Sequence, residues 1–511
     1  MPADAFLGVD LGTSSMKGLL VGRDGSLVSS TRIEYPMYHA RPGWNENDPH
    51  DWFNAFVEVV TELAQAAKTS GYRVRALALI AQRDPFVLLG EDGEPTTSAI
   101  SWTDMRAQQD TDEVRELIGR TRLIEIAGTV PITGLGLGNL LWTRKHLPEE
   151  WNRTVRAVAP KDYVLGRLVS LAGTDTTTGS RSMAFDIENM RWSDEILGAV
   201  GVPTSMFAPV AYRPWEQCAE LGTYWAQRLG LSPDVVIAAG GADDQAAALG
   251  AGAVSPGQVC IGTGTCSGWR LVIDGYDPDP DGKWDCAPHV VPDRYIREVS
   301  IDSSGSSLRW FRDQLCTDFA DLSDGGGYPR IIQLAMEVPP GSDGLMFFPY
   351  VAGGERAPHY IEFASGVFFG ITTFHTRAHM ARSILEGIAF QYPGTLEVLM
   401  TNRQQDGPLR IVDGEASSSE WTQIKADVLG LPIQPTEVLD ASALGAAILA
   451  SVAGGLYPDA KAASAAMVRY GTVVQPRTLE RDRYAQLRRE YERTFDSVKG
   501  GFVPPTLEVA P

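Results

Sequence analysis

The sequence is short of several features that define whole classes of protein. Five cysteines in 511 residues, none in a C-x-x-C pair, are too few for a disulfide framework or a zinc knuckle. A reducing compartment, the cytoplasm, is the expected setting. No run of 18 uncharged apolar residues occurs, and the opening MPADAFLGVD has neither the basic nor the apolar region of a secretion signal. Basic charge is scarce as well: 44 Lys+Arg stand against 64 Asp+Glu, for a formal charge of −20. So acidic a surface repels phosphate backbones and anionic lipid, which excludes nucleic acid and membrane as general partners. A small anionic ligand would need a local site of backbone N–H groups or a bound cation. G-x-S-x-G and H-E-x-x-H are also missing, so hydrolase and zinc-protease chemistry has no support.

What is present describes a large folded chain. With 44% hydrophobic and 21% charged residues a sizeable core is expected, and the length suits two large domains or three to four small ones. Apolar runs at 5–10 and 18–22, followed by the Asp24-Gly25 turn, predict a β-meander. Asp48-Pro49 reads as an N-cap with proline in the first helical turn, ahead of Phe53, Phe56, Val57, Val60, Leu63 and Ala64 at helical period. Val74–Ile80 reads as a strand whose exit carries Gln82-Arg83-Asp84-Pro85, the place where sites in α/β folds tend to lie. Interleaved strands and helices predict an α/β protein.

Two segments resemble each other. LGTSSMKG at 11–18 and IGTGTCSG at 261–268 share an aliphatic-Gly-Thr-x-[Ser/Thr]-x-x-Gly pattern, each leading into an apolar run. Closely spaced N–H donors and hydroxyls in such turns can wrap phosphate oxygens, with Lys17 adding one cation. An apolar, strand-like run follows the first turn, which argues against a P-loop or a dinucleotide fingerprint. An ordinary hairpin turn is the plain alternative for each copy. In VVIAAGGADDQAAALGAG, residues 235–252, Asp243 falls where a strand ends and a helix begins. It is either an N-cap or a carboxylate able to take a hydroxyl proton. Asp10, at the exit of the first strand, is placed to bind the water shell of Mg2+. His375 and His379 lack an evident third ligand for a metal site, and residues 479–498 read as a solvated terminal helix followed by a loose tail, FVPPTLEVAP.

These motifs, together with GWNENDPHDW (43–52), SWTDMR (101–106), PKDYVLGRL (160–168), FFPYVAGGERAPHYIEFASGVFFGIT (347–372) and VDGEASSSEWTQIKADVLGLPI (412–433), resemble the FGGY carbohydrate kinase family. The resemblance runs in order along nearly the whole chain. It implies two ribonuclease-H-like domains of the actin, hexokinase and heat-shock ATPase type with ATP in an interdomain cleft. The expected division is 1–250, 251–475, and a terminal helix and tail at 476–511. Asp243 would be the general base, Thr13, Ser14, Ser15 and Lys17 would hold phosphates from one domain, and Thr263 and Gly264 from the other. Gly305, Gly414 and Ser419 would contact the nucleoside, and Asp10 would organise Mg2+. In the acceptor site, Arg83 and Asp84 would bond vicinal hydroxyls, Trp102 would stack on the sugar, and Asp104 and Asp244 would bind beside them.

Two departures from the family pattern stand out. Glu415 replaces a glycine of the adenosine motif and sets a negative charge where backbone usually approaches the nucleotide, which makes ATP binding harder for an acidic protein. Gln82-Arg83-Asp84 is similar to the Gln-Arg-Glu of glycerol kinases, whereas 347–372 is similar to xylulokinases. The expected activity is ATP-dependent phosphorylation of a small sugar, a pentulose such as xylulose. Glycerol, a tetritol or another polyol is the alternative acceptor, a catalytically weak sugar-binding sensor the alternative of another class, and a homodimer a possible assembly.

Overall fold

The computed structural model describes residues 2–319 and 326–503. They fall into two compact units, each discontinuous in sequence. The first contains the chain up to Pro256, Val272–Arg297 and Asp440–Arg469; the second contains Gly257–Leu271, Glu298–Leu439 and the chain from Tyr470.

The first unit is built on a six-stranded mixed sheet in the order Gln217–Glu220, Val236–Ala238, Tyr72–Ala81, Ala3–Leu11, Ser15–Gly22 and Leu27–Glu34. The expected meander forms its last three strands, antiparallel throughout, while Ala3–Leu11 pairs in parallel with Tyr72–Ala81. Ala3–Leu11 is central and buried from Ala5 onward, which is why it reads as an unbroken apolar run. On one face lies helix Pro49–Thr69, whose Trp52, Phe56, Val59, Val60 and Leu63 are buried. Its start matches the sequence reading: Asp48 Oδ1 accepts the His50 N–H at 2.9 Å, and Pro49 needs no partner there.

Helix Ala441–Ala453 also packs on this sheet, by backbone proximity. A Cβ on Gly8 would lie 2.0 Å from the Ala443 carbonyl oxygen. The same helix carries helix Asp243–Gly250, where a Cβ on Gly445 would lie 1.9 Å from the Ala246 carbonyl oxygen and one on Gly250 1.9 Å from that of Ala441. Glycine here is an allowance for contact. Gly445→Ala should therefore destabilise the protein by about 1–3 kcal/mol in urea unfolding, although helix propensity alone favours alanine by about 1 kcal/mol. A variant as stable as the parent would show that the two helices can separate freely.

In the second unit, Val259–Thr263 pairs antiparallel with Ser267–Ile273 and parallel with Leu409–Val412, which pairs in parallel with Ile433–Pro435. Both Gly-Thr copies are thus tight turns between antiparallel strands, with Leu11 paired to Met16 in one and Thr263 to Ser267 in the other. The terminal helix, Thr478–Val498, is not merely solvated. Tyr484, Tyr491 and Phe495 are buried, and the last two join a cluster with Phe348 and Tyr350. The tail beyond 503 lies outside the described residues. Among those residues no helix is long and apolar enough to cross a membrane.

Candidate active site

The strand Tyr72–Ala81 delivers Gln82, Arg83 and Asp84, all buried, to one edge of the first unit. An Arg83 Nη donates to Asp244 Oδ2 at 2.6 Å. Asp84 Oδ1 accepts from Arg181 Nε at 3.2 Å, and an Arg181 Nη donates to Asp285 Oδ2 at 2.9 Å. The charges therefore alternate through Asp285, Arg181 and Asp84, with the Arg83–Asp244 pair alongside. Burial raises the Asp84 carboxyl above its ordinary value, opposed by Arg181 and Arg83. Arg181 and Asp285 were not sequence candidates: they lie 97 and more residues from Arg83 and Asp84, and no local pattern ties them to this edge.

Trp102 is exposed and its indole N–H donates to Thr13 Oγ1 at 3.0 Å, joining the acceptor-side residue to the first Gly-Thr turn. Asp104 departs from its expected role. It is fully buried, with Oδ2 accepting from the Asn45 N–H and an Arg106 Nη, and Oδ1 from the Arg106 backbone N–H and Nε. Arg106 is itself stacked 3.7 Å from the Trp44 ring centroid. Asp104 holds the Asn45 loop together and has no capacity left for a ligand hydroxyl.

Asp243 is the first residue of its helix, and Ala242, not Asp243, is the N-cap. The loop before it is fixed by Thr177, whose Oγ1 accepts the Ala242 N–H at 3.0 Å and donates to Asp175 Oδ1 at 2.6 Å. Asp243 Oδ1 accepts the Asp244 N–H at 2.8 Å, and the residue stays partly exposed. Burial lifts its carboxyl well above the ordinary value, the charges of Asp244 and Asp10 add to this, and Arg83 opposes them. Asp10 Oδ2 accepts from Ser442 Oγ at 2.6 Å, while the buried Oδ1 has no hydrogen-bond partner. Lys17 faces Asp10 across the strand pair, and its ammonium is held by Asp440 at 2.6 Å. In the turn itself Ser14 is exposed and Ser15 buried, with the Gly12 N–H bonded to the Ser15 carbonyl at 3.1 Å.

In the second unit three backbone segments converge. Thr263 bridges Asp413 beside Gly414, and a Cβ on Gly305 would lie 1.9 Å from the Gly264 carbonyl oxygen, so only glycine can start helix Gly305–Leu315 against that turn. Gly264 and Gly414 are exposed. Ser419 is exposed at the start of helix Ser419–Leu429, whose N-cap is the neighbouring Ser418, accepting the Trp421 N–H. Thr263, Gly264, Gly305 and Gly414 are thus gathered at one place. Family models match most of the chain: the N-terminal domain of the FGGY family of carbohydrate kinases over residues 5–250 and its C-terminal domain over 257–454.

The chain belongs to the FGGY family of carbohydrate kinases. It is 30% identical over 469 residues to a xylulose kinase of Lactococcus lactis subsp. lactis (strain IL1403), covering 91% of each chain. A ligand-bound xylulose kinase and a gluconate kinase from Lactobacillus acidophilus each superpose with a TM-score of 0.87 at 25% identity, over 98% of this chain and 99% of theirs. The two-domain α/β fold of the carbohydrate kinases is therefore present.

One departure from the FGGY pattern resolves differently from the sequence reading. Glu415 is buried, ion-paired with the buried Lys425 and accepting from Tyr392 and Ser304. It presents no free charge to a nucleotide. Burial pulls the Lys425 ammonium down to about 8, against the opposing effect of Glu415.

Proposed function

We propose that this FGGY kinase transfers the γ-phosphoryl group of ATP to a hydroxyl of a small neutral sugar, a pentulose such as xylulose, with Asp243 as general base. The observation that carries the reading is Asp243 itself: a partly exposed carboxylate of raised basicity, one residue from the Asp244 that holds Arg83. A base of raised pKa accepts a proton more readily as the hydroxyl attacks, and phosphoryl transfer otherwise depends on positioning and charge neutralisation. Arg83, Asp84, Asp244 and Trp102 orient the acceptor. Thr13, Ser14, Ser15 and Lys17 in one unit, and Thr263, Gly264, Gly305, Gly414 and Ser419 in the other, supply the nucleotide contacts.

Mg2+ fits at Asp10, whose buried Oδ1 lacks a partner, and it would neutralise phosphate charge there. Among the described residues no group of three or more His, Cys, Asp or Glu is arranged around a metal, so such an ion would lean on phosphate oxygens and water. The cytoplasm suits five cysteines that form no disulfide.

The acceptor reading favours neutral polyols over sugar acids, because the Arg83 and Arg181 guanidinium groups are both already engaged by carboxylates. ADP release should accordingly appear with ketoses or polyols and not with gluconate. Turnover confined to gluconate would defeat the assignment. Glycerol or a tetritol remains the second reading, supported by Arg83-Asp84. The sensor reading loses its motive, since Glu415 is neutralised by Lys425.

A further inference from the structure

The second unit buries an ion pair that the proposed reaction does not use. Glu415 and Lys425 sit on consecutive helices, Asp413–Ala416 and Ser419–Leu429, with side chains 2% and 0% exposed. Tyr392 Oη donates to Glu415 Oε2 at 2.6 Å, and Ser304 Oγ donates to Oε1 at 3.0 Å. The Lys425 ammonium lies 3.8 Å from the Trp421 ring centroid. From Ser304 the hydroxyl chain continues to Ser267 at 2.8 Å and on to Thr263 at 2.6 Å. Glu415 directly follows Gly414, Ser304 directly precedes Gly305, and Thr263 opens the Gly-Thr turn. One carboxylate therefore ties together the three segments that converge there. Apolar residues of the same size would stabilise such a core at least as well, so stability alone does not account for the pair.

We propose that Glu415, held in place by Lys425, is the positioning residue of the nucleotide half-site: it fixes the mutual placement of Thr263, Gly305 and Gly414 without touching the nucleotide. The inference rests on reading the second unit as the nucleotide-binding half. Backbone donors aimed at phosphate work only when held to about 0.5 Å, and a shared acceptor beneath three segments supplies that restraint. Lys425 acts at one remove, because without it the buried Glu415 carboxylate loses its counter-charge and its hold on the three segments weakens.

The experiment is calorimetric titration of the full-length protein with ADP, alongside Tm and the KM values for ATP and sugar. Failure of the parent to bind ADP would count against the nucleotide reading itself; the inference is tested by the variants. In Glu415→Gln/Lys425→Met the amide oxygen still accepts from Ser304, and the Kd for ADP should stay within about threefold of the parent. In Glu415→Ala/Lys425→Met no charge is stranded but the acceptor is gone. That variant should recover Tm yet bind ADP about tenfold or more weaker, with KM for ATP raised and KM for sugar unchanged. Parent-like affinity in the alanine variant, or affinity that simply follows Tm through the series, would overturn the proposal. Should the alanine variant not fold, Ser304→Ala strands no charge and carries the same expectation of about tenfold weaker ADP binding, with parent-like affinity again overturning it.

Discussion

Replacing Asp243 by Asn is expected to lower kcat by about 10³-fold while leaving the protein as stable as the parent or more so. The amide keeps the size of the side chain and the acceptor for the Asp244 N–H, so the helix start survives; what disappears is the capacity to take a proton. The stability half of the expectation follows from the direction of the pKa. Asp243 is raised above its ordinary value by burial, with Asp244 and Asp10 adding, so its ionised form costs the folded state stability. A raised carboxylate contributes stability that is present below the unfolded value and lost as pH rises through the folded one. At neutral pH the neutral amide removes that cost. For the same reason kcat/KM of the parent should fall on the acid side at a pH above the ordinary carboxylate value of 3.8, and this limb should vanish from the residual activity of the variant. Sugar-dependent ADP release that survives the substitution, or a Tm that collapses with it, would remove Asp243 from the role of base.

Features set by local patterning were legible in the sequence. The meander, the capped helix at Asp48 and the paired Gly-Thr turns depend on residues close in sequence, and each forms as expected. Asp10, Arg83 and Asp243 could be picked out because each stands at a strand exit or a helix start. Their partners could not. Ser442 lies 432 residues from Asp10, and Arg181 lies 97 from Asp84; only tertiary packing brings them together. Asp104, which the family resemblance places in the acceptor site, is closed over by Arg106 two residues on, a contact the motif SWTDMR does not announce. Glu415 was misjudged for a similar reason. Its charge is matched by Lys425 ten residues later across a helix break, a spacing no helical periodicity announces. In the terminal helix Tyr491 and Phe495 share a helical face legible in the sequence, but the dense charge around them reads as solvated, and their burial together with Tyr484 shows a docked face.

The alternating charges around Asp84 lead to the second large effect, in Arg181→Met. The methionine fills much of the arginine's volume but leaves Asp84 and Asp285, with side chains 10% and 15% exposed, without their shared cation. Breaking a buried pair in this way costs about 3–5 kcal/mol, and the loss should be visible in urea unfolding at neutral pH. Burial already raises the Asp84 carboxyl, and Arg181 is the foremost group opposing that rise, so in the variant Asp84 climbs further. The deficit should therefore be greatest at neutral pH and shrink as pH falls through the raised value, because protonation relieves the stranded charge. Adding Asp84→Asn to Arg181→Met should restore much of the stability but not the acceptor KM, which should remain about tenfold or more above the parent because the hydroxyl acceptor has lost its charge and its anchor. If Arg83, Asp84, Arg181 and Asp244 orient the acceptor as one unit, substrate preference should follow all four. An exchange of Arg83 and Asp84 for Met and His alone would take the Arg83 guanidinium from Asp244 and one of two carboxylates from Arg181, and should lower activity on every acceptor, whereas a clean shift of preference from that two-residue exchange would show that Arg181 has no part in specificity.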